Sequence, residues 1–169
     1  MGEKNTEIVL GVVIKTAKVG ESNLRVTLLC AGAIKVFTAT GVLKKDAKLK
    51  ASVQLFTIAE FTTIGHKITG AHVLQFGHAI TKDMKRYYLA CAICEVVGKC
   101  FGAGFLLTLK AIEQLCADTV DTRALYTQYF TDLLRELGYD IDGRQDINTA
   151  FVQHLDIKIP HTSLAPNIV

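Results

Sequence analysis

Long apolar runs are missing from this 169-residue chain. No stretch reaches the roughly 18 uninterrupted apolar residues that a membrane-spanning helix needs, so none is expected. The first residues, Met1-Gly2-Glu3-Lys4-Asn5, have no basic segment leading into an apolar one, so no secretory signal is expected either. Catalytic signatures are equally scarce: there is no P-loop, no nucleophile elbow and no G-x-G-x-x-G. Gly98, Gly102 and Gly104 follow a helical pattern, where a phosphate-cradling loop would follow a strand. The five histidines (His66, His72, His78, His154, His161) lack a ligand spacing such as H-E-x-x-H. Asp140, Asp142 and Asp146 have no Glu to close a calcium loop and are expected to cap helices. No catalytic residue, metal or cofactor is therefore expected.

Charged residues make up only 21% of the chain and apolar ones 50%, which disfavours disorder and allows a packed core. Five cysteines, an odd number, lie inside apolar runs at Cys30, Cys91, Cys94, Cys100 and Cys116. Secreted disulfide frameworks use even numbers in loop-rich sequence, so these read as reduced core thiols of a cytoplasmic protein. Cys91 and Cys94 form a C-x-x-C, but mid-helix and without a second pair, which favours packing over zinc or redox chemistry.

What the chain does have is a charge asymmetry. Residues 1–80 carry ten Lys+Arg against five Asp+Glu, a net of +5, while residues 81–169 carry nine against eleven, a net of −2. The positive part reads as strands. Glu7–Lys15 is rich in Ile and Val; Leu24–Leu29 alternates, with Leu24, Val26 and Leu28 opposed to Arg25 and Thr27. Ile34–Ala39 follows as the second arm of a hairpin, with Ile34 and Val36 opposed to Lys35 and Phe37. Thr40–Lys50 is a loop too polar to bury, and Val53–Phe61 and Lys67–Leu74 complete five strands, which suit a small closed barrel. Near residue 80 the period changes to that of helices. Met84, Tyr87, Tyr88, Cys91, Cys94, Val97 and Phe101 form one apolar stripe, and Phe105, Leu109, Ile112 and Cys116 a second. Asp121 caps a third helix whose Tyr126, Tyr129, Phe130, Leu133, Leu134 and Leu137 face inward, and Gly138 ends it. A fourth helix is expected from Gln145 to Leu155, then an extended tail containing Pro160 and Pro166. The fold class is α+β: a strand domain at residues 1–78, then a helical domain with its tail at residues 79–169.

These segments together resemble the bacterial recombination mediator RecO family. The turn Val19-Gly20-Glu21-Ser22-Asn23 stands where the family has Tyr-Gly-Glu-Ser-Asp, and Ala39-Thr40-Gly41-Val42-Leu43-Lys44-Lys45 aligns with its basic loop. Gln54-Leu55-Phe56-Thr57 matches its Gln-Pro-Phe-Thr strand start, Tyr87–Val97 its first helix, and Leu133-Leu134-Arg135-Glu136-Leu137-Gly138-Tyr139 its Leu-Leu-x-x-Leu-Gly-Tyr ending. The resemblance covers roughly residues 7–140. It implies an OB-fold β-barrel followed by an all-helical domain. It implies binding of single- and double-stranded DNA, strand annealing, and recombinase loading with a RecR-like protein and the acidic tail of single-strand-binding protein. It also implies a cytoplasmic, nucleoid-associated place in DNA repair. Three departures stand out: Thr40 and Leu43 replace the loop arginines, the zinc-binding cysteines are absent after Gly138-Tyr139, and the chain is shorter at its carboxyl end than a typical member.

Within that frame Lys44, Lys45, Lys48 and Lys50 are the leading candidates for phosphate contact, each able to neutralise one phosphate and release counterions. Arg25, Lys35 and Phe37 are expected on the outer side of the hairpin, with Phe37 as a stacking surface for a base, or alternatively packed under the helical domain. Lys99 or Lys110 would meet an acidic tail. Two other classes stay open: a divergent adaptor with little DNA affinity, and a thiol-dependent enzyme using Cys91 or Cys94.

Overall fold

The structure, a computed structural model, describes residues 5–141 and 145–159. It is α+β and divides into two compact units between His78 and Ala79. The expected tail with Pro160 and Pro166 lies outside the described residues, as does Asp142.

The first unit is a five-stranded sheet: β1 (Thr6–Val19), β2 (Asn23–Cys30), β3 (Ala33–Ala39), β4 (Ile58–Ile64) and β5 (Lys67–Gln75). β1 pairs antiparallel with both β2 and β4, β2 with β3, β4 with β5, and β3 meets β5 in a short parallel contact, so the pairings close into a barrel. One long strand can serve two neighbours because the register slips between Val13 and Lys15, a bulge that bends β1. Gly11 lets β2 approach β1 closely just before it: a Cβ there would stand 3.1 Å from the Leu29 carbonyl oxygen. Val9, Val13, Val26, Leu28, Phe37, Ala39, Phe61 and Ile68 fill the interior.

The fourth strand begins at Ile58 rather than Val53. Residues 40–57 instead run as successive three-residue turns, for example Lys44 N–H to Gly41 O (3.2 Å), Lys50 N–H to Ala47 O (3.1 Å) and Thr57 N–H to Gln54 O (3.3 Å). The segment is less polar than its lysines suggest: Val42, Val53 and Phe56 are buried, and Leu43, Leu49 and Leu55 pack partly against the core. Phe56 holds a left-handed backbone (φ 66°), and its N–H reaches the Val13 carbonyl at 2.9 Å while Val13 N–H reaches Thr57 O at 3.0 Å. The β1 bulge is thus closed by the end of this segment.

The second unit holds four helices, α1 (Met84–Lys99), α2 (Phe105–Cys116), α3 (Thr122–Glu136) and α4 (Ile147–Leu155), preceded by a 3-10 segment at Gly77–Lys82. Three begin on aspartate caps. Asp83 accepts from Arg86 N–H, Asp121 from Arg123 and Ala124 N–H, and Asp146 from Thr149 N–H. α2 has no side-chain cap of its own; Glu136 of α3 accepts the Gly104 N–H at 2.7 Å instead. Its other end is gripped by Arg86, whose guanidinium donates to the carbonyls of Leu115, Ala117 and Asp118 at 3.2, 2.6 and 2.8 Å. α3 is the centre: Tyr126, Tyr129, Phe130, Leu133 and Leu134 are buried as expected, and Phe130 makes ring contacts with Tyr126, Tyr129 and Phe151. Gly138 (φ 89°) ends it.

The expected stripe of α1 needs correction at both ends. Met84 is 66% and Phe101 88% exposed, whereas Leu89, Ala92, Ile93 and Val96 are buried. α1 is apolar on most of its circumference, so spacing alone does not identify its inner face. α4 starts at Ile147 rather than Gln145. No helix among the described residues is long and apolar enough to cross a membrane.

Candidate nucleic-acid interface

The β2–β3 register decides which side chains the barrel turns outward. Arg25 lies opposite Thr38, Val26 opposite Phe37, Thr27 opposite Val36 and Leu28 opposite Lys35. Opposed residues share a face, and Val26 and Leu28 are buried, so Phe37 points into the barrel and is only 5% exposed. This corrects its placement as an outer stacking surface. Arg25, Thr27, Val36 and Thr38 take the outer face.

β1 and β5 extend that face. Lys15 lies opposite Thr27 and Ala17 opposite Arg25, while Lys67 lies opposite Thr38. The next pair along, Ile68 and Ala39, is buried, which puts Lys67 on the outside. A row Ala17–Arg25–Thr38–Lys67 therefore crosses four strands, and at about 4.8 Å per strand Arg25 and Lys67 stand roughly 10 Å apart. Lys15, Ala17, Arg25, Thr27 and Val36 line a groove of about 310 Å³, floored by short side chains and edged by two cations, with no carboxylate in its lining.

The lysine segment leaves from the same end of the sheet. Gly41 N–H donates to Asn23 Oδ1 at 2.8 Å and Leu43 N–H to Ser22 O at 3.0 Å, which ties its start to the β1–β2 turn, two residues from Arg25. Lys44, Lys45, Lys48 and Lys50 are all exposed because Val42, Leu43, Leu49 and Val53 take the inner side of the turns. Among the described residues the ion pairs are Lys35–Glu7 (4.0 Å), Lys99–Glu95 (2.9 Å) and Arg135–Asp132 (3.2 Å). Lys15, Arg25, Lys67 and the four segment lysines take part in none of them.

Lys35 departs from the expected site. Its register partner Leu28 is buried, so Lys35 stands at the barrel rim on the inward parity, away from Arg25, and its ammonium faces Glu7. Thr40 is exposed, and Leu43 is half-buried on the core. Lys15 and Lys67 are absent from the set that spacing suggests. Lys15 follows the bulge, where alternation breaks, and Lys67 joins the face through a parallel contact with β3 that no local pattern announces.

The thiols point away from nucleophilic chemistry. Burial pushes the Cys30, Cys94 and Cys100 thiols up, and does the same to Cys91 against an opposing hydrogen bond from Tyr87. A reactive or metal-ligating thiol needs the opposite shift. All five cysteines are free, and no group of three or more His, Cys, Asp or Glu among the described residues could hold a metal. His66, His72, His78 and His154 are exposed; His161 lies outside the described residues. In the helical unit Lys99 is tied to Glu95, whereas Lys110 is exposed. No protein-family model and no curated protein matches the chain.

Proposed function

We propose that this chain is a RecO-like recombination mediator that works by binding, with the first unit an OB-fold that holds DNA along its cation-bearing outer face. The observation that carries the reading is the convergence of Lys15, Arg25 and Lys67 on one side of the barrel, with Lys44, Lys45, Lys48 and Lys50 leaving from its edge. Closure in the order β1-β2-β3-β5-β4 supports the OB-fold assignment, as does the placement of the cations on the β2–β3 side, where such barrels take oligonucleotides. Each cation that meets a phosphate releases condensed counterions, giving affinity that tolerates sequence and falls with salt. Two strands neutralised on one surface repel each other less, which promotes annealing with no bond made or broken. The helical unit supports the barrel's work by docking partners, a RecR-like protein and the acidic tail of single-strand-binding protein, with Lys110 among its exposed cations.

A second reading, a divergent adaptor with little DNA affinity, is favoured by Phe101 and Leu106, 88% and 66% exposed around the start of α2. An anisotropy titration of the full chain with a labelled oligonucleotide separates the two. If the seven cations each meet a phosphate, affinity falls on the order of 10³–10⁴-fold between about 50 and 200 mM salt. Replacing Lys44, Lys45, Lys48 and Lys50 with Ala flattens that slope. Absence of binding at low salt refutes the DNA reading and leaves the adaptor.

A further inference from the structure

We infer that the barrel reads the sugar–phosphate backbone alone, without stacking a base, and takes duplex in preference to single strand. This rests on the nucleic-acid reading above and names the substrate of that same face.

The ring inventory of the first unit carries the inference. Residues 1–78 contain neither Tyr nor Trp, and their four Phe are Phe37, Phe56, Phe61 and Phe76. The first three are 5%, 1% and 0% exposed. Only Phe76 is accessible, at 42%, and it stands just past the far end of β5 beside His78, its ring centroid 6.3 Å from the imidazole. It stands roughly 30 Å from Lys67 at the other end of the strand, and its neighbour Gly77 packs on Leu55 and Phe56 at the end of the lysine segment. No aromatic side chain of the first unit therefore lies on the row Ala17–Arg25–Thr38–Lys67. Its floor is Ala17, Thr27, Val36 and Thr38, whose methyl groups offer a base edge or sugar little area. Single-strand binders of this architecture draw their affinity from rings on which successive bases stack, and this face has only charge to offer.

Charge alone favours the denser polyanion. A duplex presents one phosphate per about 1.7 Å of axis, a lone strand one per about 3.4 Å, so more phosphates come within reach of the same fixed cations. Seven cations on an outward face and one flexible-sided segment gain more from that density than from unpaired bases.

The test uses the full chain and three labelled probes of equal length: a duplex, a mixed-sequence single strand, and a single strand with a central run of abasic sites. The abasic strand is expected to bind within two-fold of the mixed one, since loss of even one stacked base costs about five-fold or more. Duplex is expected to bind tightest, with a salt slope steeper than that of single strand by about 0.9 to 0.7. The triple variant Lys15→Ala, Arg25→Ala, Lys67→Ala, checked for folding by circular dichroism, should lower the duplex slope by about 2.7. A five-fold loss with the abasic strand, or single strand binding tighter than duplex, overturns the backbone-only inference and leaves the DNA reading standing. Binding of none of the three probes at low salt overturns both.

Discussion

Phe37 offers the sharpest test of the barrel geometry, because an inward ring and an outward ring answer mutation in opposite ways. It is 5% exposed in a cluster with Val26, Leu28, Ala39 and Phe61. Truncating a buried Phe to Ala removes about 3–5 kcal/mol. A unit of this size is stable by only about 4–12 kcal/mol, so Phe37→Ala removes a large fraction of the barrel's stability and says little about DNA. Phe37→Leu is the informative change. It keeps most of the volume and costs about 1–1.5 kcal/mol. With a urea m-value near 1 kcal/mol/M for a small domain, the midpoint falls by about 1 M. Residue-resolved amide signals of the barrel strands are the appropriate probe, since four helices dominate the far-ultraviolet signal, every tyrosine lies in the helical unit and the chain has no tryptophan. The folded variant should bind DNA within two-fold of the parent. A Phe37→Leu protein with an unchanged midpoint and five-fold weaker DNA binding would mean that the ring faces solvent and that the β2–β3 register is wrong.

Thr57→Val should raise stability by about 1 kcal/mol, because the Thr57 hydroxyl is fully buried without a hydrogen-bond partner and its desolvation is uncompensated; a loss in the same urea titration would show a hidden partner. Gly104→Ala should cost about 2–3 kcal/mol, since φ is +73° and the added Cβ would lie 2.6 Å from Leu133 Cδ1. A tyrosine-fluorescence melt that does not move would contradict that close approach. Arg86→Ala should cost about 2 kcal/mol and speed amide exchange in the last turn of α2, with Arg86→Lys recovering less than half, because an ammonium cannot span three carbonyls; full rescue by Lys would refute the clamp. The helical unit should also weaken in alkali. Burial raises the thiols of Cys91, Cys94 and Cys100 above 9.0, and pushes the phenol of Tyr126 up to about 12 and that of Tyr129 up as well. Below the unfolded values both states are protonated and the stabilisation is complete; above about pH 9 the unfolded chain ionises first and stability falls. A urea midpoint that stays flat from about pH 8 to about pH 11 would show these groups to be solvated.

Element type was largely legible because local chemistry agrees with the fold. Leu24 to Leu29 alternates, Asp121 caps α3 by accepting two backbone N–H groups, and Gly138 ends that helix with a positive φ. Boundaries failed where tertiary contacts override propensity. Val53-Gln54-Leu55-Phe56 has the composition of a strand, yet Phe56 adopts a left-handed turn to close the β1 bulge, and pairing begins only at Ile58. Phe101 has helical spacing but follows the C-cap at Cys100; its own φ turns positive (53°) and its ring is solvent-exposed. The site was half legible. Arg25 and the lysine segment follow from alternation and polarity, whereas Lys15 and Lys67 belong to it only through a bulge and a 29-residue loop closure between Thr38 and Lys67.

The misplaced ring and the misplaced lysine have one cause. In Ile34-Lys35-Val36-Phe37 alternation permits two parities, one burying Ile34 and Val36, the other burying Phe37 with Lys35 on its side. Counting apolar residues favours the first. Burial area favours the second, because Ile34 stays half-buried near the start of the strand and a Phe removes more apolar surface from water than the Val36 given up. The cost of Lys35 on the inward parity is small at the rim, where its four-carbon stem can lie along the barrel and its ammonium can reach water and Glu7. Val36, 47% exposed, is the residue left outside. That single choice of parity also shapes the candidate face: it takes the Phe37 ring off it and leaves an aliphatic floor between Lys15 and Arg25. The proposed preference for duplex and the stability of the barrel core are therefore linked through the same register, and a variant that slipped β3 by one residue should lose both together.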